Sequence, residues 1–329
     1  MTIPDKLSLA HLPTPIDQIR RIELPRGKKL FLKRDDQTGT ELSGNKIRKL
    51  EFLLYDALEQ GCDTLITCGG VQSNHARATA AAAAKLGLRC SLVLSSPTRV
   101  LPAGNLLLDK LFGATVQLVS PRDFGERLEE IMQQLADEAT DRGAKAYQIP
   151  VGASNPLGTF GYFLALQEIL DQERALGISF DTIVCSVGSG GTYAGLVFAN
   201  QLLQAGKKIV GINISQTADH FRLITQQLWQ GFSQIAEVNE DLTEPLHILD
   251  GYAGRGYALN TAEEVDFVRD FARETGVVLD PVYTGKAMRG LMESLKQNHR
   301  LFEASEHILF IHTGGLFGLF PKAEEFLLD

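Results

Sequence analysis

A unit that recurs along the chain constrains its fold most: a short apolar strand, a turn rich in glycine and hydroxyl groups, then a helix. Thr64-Leu65-Ile66-Thr67-Cys68 runs into Gly69-Gly70-Val71-Gln72-Ser73-Asn74-His75 and an alanine-rich helix that Gly87 can close. Thr182-Ile183-Val184-Cys185 runs into Ser186-Val187-Gly188-Ser189-Gly190-Gly191-Thr192 and a helix beginning near Tyr193. Val277-Val278-Leu279 leads to Asp280-Pro281-Val282-Tyr283-Thr284-Gly285-Lys286, and His307 to Ile311 leads to His312-Thr313-Gly314-Gly315. Further strands read at Leu30 to Lys33, Cys90 to Leu94, Thr115 to Val119 and Ile209 to Ile214. Helices read at Asn105 to Phe112, Phe124 to Arg142 and Asn260 to Thr275. This alternation predicts an α/β protein of mostly parallel strands with crossover helices on both faces. Ligands of such open sheets gather at the carboxyl ends of the strands, where these turns fall. Pro150 to Pro156 reads as a passage between domains, and Gln216 to Asp250 carries no chemical pattern.

The composition narrows the function. At 329 residues and 44% hydrophobic, the chain can bury a large core and is expected to form two domains. Its net charge of -8 argues against a nucleic-acid or anionic-membrane surface, so an anionic ligand must be held by local donors. Met1 to Pro15 lacks the features of a signal peptide, and no later run is apolar enough to span a bilayer; the expected location is cytoplasmic. Cys62, Cys68, Cys90 and Cys185 have neither metal-site nor disulfide-framework spacing and read as reduced core thiols. No metal site is expected.

One helix start breaks an electrostatic rule. In Ser43-Gly44-Asn45-Lys46-Ile47-Arg48-Lys49-Leu50-Glu51, three cations crowd the first turn while Glu51, Asp56 and Glu59 lie further along, the reverse of what a helix dipole favours. Ile47, Leu50, Leu54 and Leu58 keep helical spacing, so the helix stands. A lysine over a positive helix end loses its proton more easily, and that end attracts an anion. A reactive Lys46 beside an anionic cofactor accounts for the arrangement, with a tolerated surface cluster as the bland alternative.

The Gly188 to Thr192 turn is the strongest anion signal, because successive amides can face one phosphate and the Ser189 and Thr192 hydroxyls add donors. A nicotinamide-binding turn fits poorly: Tyr193 replaces the third glycine, and the following strand ends in Ser215 without an acidic residue for a ribose. A nucleotide P-loop at Gly285-Lys286 fails because Asp280 stands where the first glycine belongs and Ala287 where a hydroxyl is needed. Ser73 and Asn74 serve equally as a helix cap or a ligand site, and His75, Tyr257 and Tyr283 each have a packing role as their bland reading.

Together, Ser43 to Glu51, Gly70 to His75, Gly188 to Thr192, Asp280 to Lys286 and Ile311 to Gly315 resemble the pyridoxal-phosphate lyases comprising D-cysteine desulfhydrase and aminocyclopropane carboxylate deaminase, of the tryptophan synthase β-like fold type II. The likeness begins at Leu12-Pro13-Thr14-Pro15 and runs almost to the C-terminus. It implies two open sheets, a large domain of residues 1–50 plus 156–329, a small inserted domain of residues 51–155, and a homodimer. It makes Lys46 the Schiff-base lysine and the base at Cα, and Gly188, Ser189, Gly190, Gly191 and Thr192 the phosphate site. Asn74 would bond the cofactor's ring hydroxyl and Thr313 its pyridine nitrogen. Ser73, with Asn74 and His75 beside it, would take a small amino-acid substrate, and Tyr257 and Tyr283 would position it and assist proton transfer. The deaminases typically carry a glutamate where Thr284 stands and a glutamine where His75 stands, so the resemblance implies elimination on D-cysteine, with the related L-cysteate sulfo-lyases and the deaminases as alternatives. A nicotinamide oxidoreductase and a non-catalytic paralogue are the readings from other classes.

Overall fold

The computed structural model describes residues 1–98 and 100–326. In chain order the elements are β1 (Ile16–Ile19), β2 (Lys29–Lys33), α1 (Lys46–Glu59), β3 (Thr64–Gly70), α2 (Asn74–Leu86), β4 (Arg89–Ser95), α3 (Gly104–Leu111), β5 (Thr115–Val119), α4 (Pro121–Glu126), α5 (Leu128–Asp141) and β6 (Ala146–Gln148). They continue with α6 (Pro156–Leu176), β7 (Thr182–Val187), α7 (Gly191–Leu202), β8 (Lys208–Asn213), α8 (Ala218–Ala236), β9 (His247–Leu249), α9 (Ala262–Thr275), α10 (Thr284–Lys296) and β10 (His307–Ile311). The strands form two sheets, one in the order β1-β2-β10-β7-β8-β9 and one in the order β5-β4-β3-β6. Every pairing is parallel except that of β1 with β2. No helix among the described residues is long and apolar enough to cross a membrane.

The central strands are apolar on both sides because helices cover both faces of the larger sheet. Leu30, Leu32, Val184, Val210, Ile308 and Phe310 pack with Val268, Phe271, Met288 and Leu291 of α9 and α10. Their neighbours Phe31, Ile183, Cys185, Ile209, Leu309 and Ile311 point the other way, into the core that holds α1, α6 and α7. All four cysteines are free and buried, as expected for core thiols.

Three expectations need correction or completion. Phe124 to Arg142 is not one helix: the chain leaves helical geometry at Arg127 (φ −131°), and α4 is a separate turn capped by Ser120. Gln216 to Asp250, unreadable as chemistry, contains α8, capped by Thr217, and the edge strand β9. The 21-residue α6 was not foreseen, because it is apolar nearly all round and shows no amphipathic stripe. It lies between α1 and α7 at distances that exclude side chains. A Cβ at Gly161 of α6 would lie 2.5 Å from the Arg48 carbonyl oxygen of α1, and one at Gly195 of α7 would lie 2.4 Å from the Thr159 carbonyl oxygen of α6.

The Pro150 to Pro156 passage leaves the four-stranded sheet after β6 and enters α6, capped by Asn155 with Pro156 in the first helical turn. The turns that follow β3, β7 and β10 supply Ser73, Asn74, His75, Gly188 to Thr192 and Thr313; Val277 to Leu279, expected as a strand, is neither strand nor helix, so Tyr283 reaches α10 from an irregular segment.

Candidate active site

The three cations at the start of α1 have separate fates. Arg48 uses its whole guanidinium: Nε and Nη2 donate to Asp35 at 2.9 and 2.8 Å, Nη1 and Nη2 to Glu168 at 2.9 and 3.0 Å, and Nη2 also to Thr14 Oγ1 at 3.2 Å. Lys46 and Lys49 form no ion pair among the described residues. The Lys46 amine donates to Asn45 Oδ1 at 3.0 Å and lies 5.7 Å from the centre of the Tyr283 ring. Burial lowers its pKa to about 8, with Asp280 opposing the shift and Arg77 adding to it. Lys49 is wholly buried and donates to the Gly152 carbonyl and to Ser154 Oγ; burial, then the nearby Lys46 charge, pull its pKa well down.

The Lys46 shift gives a direct test on the cofactor-free protein. Burial favours the neutral amine, so the neutral, nucleophilic fraction rises with pH through about 8. Competitive acetylation read by peptide mass spectrometry should give Lys46 a midpoint near that value, whereas exposed lysines should titrate near about 10.4. A Lys46 midpoint equal to theirs would contradict this picture.

Lys49 stands behind the glycine turn after β7. Ser154, which accepts from Lys49 at 3.2 Å, lies 2.8 Å from Ser189 Oγ and accepts from the Gly191 amide at 3.3 Å. Gly190 has φ +87°, and a Cβ on Gly191 would sit 2.7 Å from Ser154 Oγ, so glycine is required at both positions. Asn45 Nδ2 donates to Thr192 Oγ1 at 2.9 Å and ties this turn to the residue before Lys46. Two lysine amines without carboxylate partners, Lys46 partly buried and Lys49 wholly so, beside a glycine turn opening the 12-residue α7, suit a bound phosphate.

The remaining walls come from the other turns. Ser73 Oγ accepts from the Ala76 amide at 3.1 Å, which caps α2 with a lone pair and leaves the hydroxyl proton to donate. Asn74 Oδ1 accepts from Asn105 Nδ2 at 2.9 Å, so the Asn74 amide nitrogen is the group left to donate. Tyr257 and Tyr283 join hydroxyl to hydroxyl at 2.8 Å. A Cβ on Gly70 would lie 2.8 Å from the Tyr257 ring, and one on Gly188 would lie 3.2 Å from the Tyr283 ring, so the tyrosine pair spans from the β3 turn to the β7 turn. Desolvation of the paired hydroxyls raises both phenol pKa values, helped for Tyr283 by Tyr257 and opposed for Tyr257 by its hydrogen bond with Tyr283, while the Tyr257 side chain as a whole stays partly exposed. Both are therefore protonated donors at neutral pH. The Thr313 carbonyl accepts from the Asn45 amide at 3.2 Å, which seats the β10 turn against the residue before Lys46.

A family model for pyridoxal-phosphate dependent enzymes matches residues 7–314. The chain belongs to the pyridoxal-phosphate dependent enzymes. The mitochondrial bifunctional D-cysteine desulfhydrase/1-aminocyclopropane-1-carboxylate deaminase of Arabidopsis thaliana is 44% identical over 326 residues, covering 97% of this chain and 80% of the relative. The D-cysteine desulfhydrase of Serratia proteamaculans is 39% identical over 323 residues, covering 96% and 95%. The crystal structure of an ACC deaminase homologue aligns with a TM-score of 0.87 at 37% identity, covering 99% of this chain and 96% of that one.

The residues present fit this family's cofactor. The lowered Lys46 amine can bond its carbonyl carbon, and the Gly188 to Thr192 turn, with Lys49 behind it, can hold its phosphate. His75 differs from the rest of the set: its ring is buried and lies 2.8 Å from Thr67 Oγ1, and burial followed by the Lys46 and Lys49 charges keeps it neutral. The structure thus places it between α2 and β3. Thr284 is fully buried, with its hydroxyl donating to Asp280 Oδ1 at 2.7 Å and accepting from the Asp280 amide at 2.8 Å, so both of its functions are occupied. Sequence reasoning missed Asn105, Arg77 and Asp280. Arg77 donates to Asn105 and to the Glu41 and Ser43 carbonyls, bracing the segment before Lys46. Asp280 accepts the Val282, Tyr283 and Thr284 amides at 2.9, 2.9 and 2.8 Å. The Asp-Pro pair before a helix was the available signal for that last role.

Proposed function

We propose that this enzyme converts D-cysteine and water into pyruvate, ammonia and hydrogen sulfide. The observation that carries this reading is Thr284, whose neutral hydroxyl is locked onto Asp280 at the position where ring-opening deaminases typically carry a glutamate. A glutamate there would bring a second buried carboxylate against the first. The relatives named D-cysteine desulfhydrase support the same choice. Ring-opening deamination is the second reading, because the Arabidopsis relative's name carries both activities.

When bound, pyridoxal phosphate supplies the electron sink that makes the Cα proton removable and the Cβ sulfur able to leave. The chain supplies the rest. Ser73, with its proton free to donate, receives the substrate carboxylate beside the helix start of α2. Lys46, neutral above about pH 8, takes the Cα proton. Tyr283, beside the Lys46 amine, and its partner Tyr257 hold the protons that the departing sulfur needs. Thr313, whose hydroxyl forms no hydrogen bond among the described residues, is the neutral group for the pyridine nitrogen, and Asn74 the donor to the ring hydroxyl. We read the four-stranded sheet as the core of the inserted domain, residues 51–155, and the six-stranded sheet as that of the large domain, with a homodimer as the assembly to test by sedimentation.

Sulfide and pyruvate release from D-cysteine, L-cysteine, L-cysteate and aminocyclopropane carboxylate tests the reading. Equal sulfide and pyruvate from D-cysteine is the expected result. Sulfite from cysteate or oxobutanoate from the cyclopropane would replace it with the corresponding activity.

A further inference from the structure

We infer that Lys286 is a positioning residue that holds Tyr257 in register with Tyr283, an inference that rests on the assignment of those tyrosines to the reaction proposed above. Lys286 sits in the first turn of α10, three residues after Tyr283, and its side chain is buried. Its ammonium donates to the carbonyls of Ala253, Gly256 and Leu259 at 2.7, 3.0 and 3.1 Å. An ammonium has three N–H groups, so all are spent on one loop, and that loop carries Tyr257.

Apart from Tyr252, which packs on Gly290 of α10, and Gly254, which sits against Glu264, the loop has little else to fix it. From Gly251 to Leu259 it contains neither helix nor strand, and its positive-φ residues are Gly251, Gly254, Gly256 and Ala258. Its own backbone hydrogen bonds are Gly256 to Ala253 at 3.3 Å and Leu259 to Gly256 at 3.2 Å. The far side of Arg255, Ala258 and Leu259 faces an open cleft of about 470 Å³ rather than packed core. Tyr257 is 44% exposed, and its single polar contact is the Tyr283 hydroxyl.

The surroundings are built around the same ammonium. Glu264, in a capping box with Thr261, lies 4.0 Å from Lys286 Nζ, and a Cβ on Gly254 would come 2.4 Å from its carboxylate. Asn260, at the loop's exit, donates to the Pro281 carbonyl at 2.6 Å. The start of α10 therefore places both phenols: Tyr283 directly through its backbone, and Tyr257 through the carbonyls gathered on Lys286. A tethered phenol displaced by about 1 Å can cost about 100-fold in rate.

The test is a double-mutant cycle of Lys286→Met and Tyr257→Phe in the cofactor-loaded enzyme, using whichever of the four amino acids above the wild type turns over. Lys286→Met should lower kcat by about 100-fold with a smaller change in KM, and adding it to Tyr257→Phe should cost little more than Tyr257→Phe alone. The cofactor absorbance should be unchanged. Lys286→Arg, which keeps a cation with several N–H donors at this position, should recover part of the rate that Lys286→Met loses. Additive losses in the cycle, or full activity in Lys286→Met, would overturn the inference. Should none of the four amino acids react, the substrate reading fails, and hydrogen exchange decides for Lys286 alone. Faster exchange confined to the Tyr252 to Leu259 amides in Lys286→Met supports it, and unchanged exchange overturns it.

Discussion

Lys46→Ala is expected to lose turnover by about four orders of magnitude or more while leaving the protein folded. The loss follows from the two roles proposed for one amine, bonding the cofactor's carbonyl carbon and taking the Cα proton. The fold should survive because the amine contributes little to it. Its one hydrogen bond is to the neighbouring Asn45 side chain, and as a cation it is a partly buried charge without an ion pair among the described residues. Thermal melting within a few degrees of wild type, with turnover and the lysine-linked cofactor absorbance both gone, is the expected pair of observations. Unchanged turnover would sink the assignment of Lys46.

Arg48→Met should have the opposite signature, a large loss of stability traceable to no reacting atom. Met fills much of the same volume, but Asp35, fully buried, and Glu168, mostly so, lose the guanidinium that satisfies them. Burial pushes the Asp35 carboxyl up, and Arg48 beside it overcomes that push and holds it below the ordinary value. Removing one partner of such a buried pair costs about 3–5 kcal/mol, against a typical total of about 5–15 kcal/mol. The sign of the pH dependence checks the cause. In the variant, burial, the largest influence on Asp35, is opposed by Lys33 and by the hydrogen bonds from Tyr162 and Thr14 without the guanidinium, so its folded-state pKa is expected to rise above the unfolded value near about 3.9. The stability deficit relative to wild type should then shrink as pH falls towards about 4 and the carboxyl takes a proton. A urea midpoint equal to wild type at pH 7 would show that the pair is not what secures this helix.

These two residues also show how far the sequence could be read. The strand, turn and helix units were legible because each is local: hydrophobic runs, glycine turns and helix caps lie within a dozen residues of one another, and Thr115–Val119 reads as the same strand in both. The reversed charge order at Lys46 was legible as an anomaly, but its resolution was not. Arg48 finds its carboxylates 13 and 120 residues away, and no local pattern encodes such a pairing. The same holds for Lys286, whose position in a failed phosphate motif gave no sign of the loop folded around it. At His75 the ring could have faced the turn or the strand, and burial against Thr67, settled by the packing of α2 on β3, decided for the strand.

The glycine contacts of α6 have a consequence for the distance between two chemical groups. The amine of Lys46 stands at the first residue of α1, and the Gly188 to Thr192 turn opens α7; α6 packs between these two helices. Pyridoxal phosphate held as proposed would have to reach both sites at once. The spacing of these helices is set at Gly161, against the Arg48 and Lys49 backbone, and at Gly195, against the Thr159 carbonyl and the Tyr162 Cβ. The helix stack would then act as a gauge for the bound cofactor, and a single methyl group added at either contact would change the gap it has to bridge.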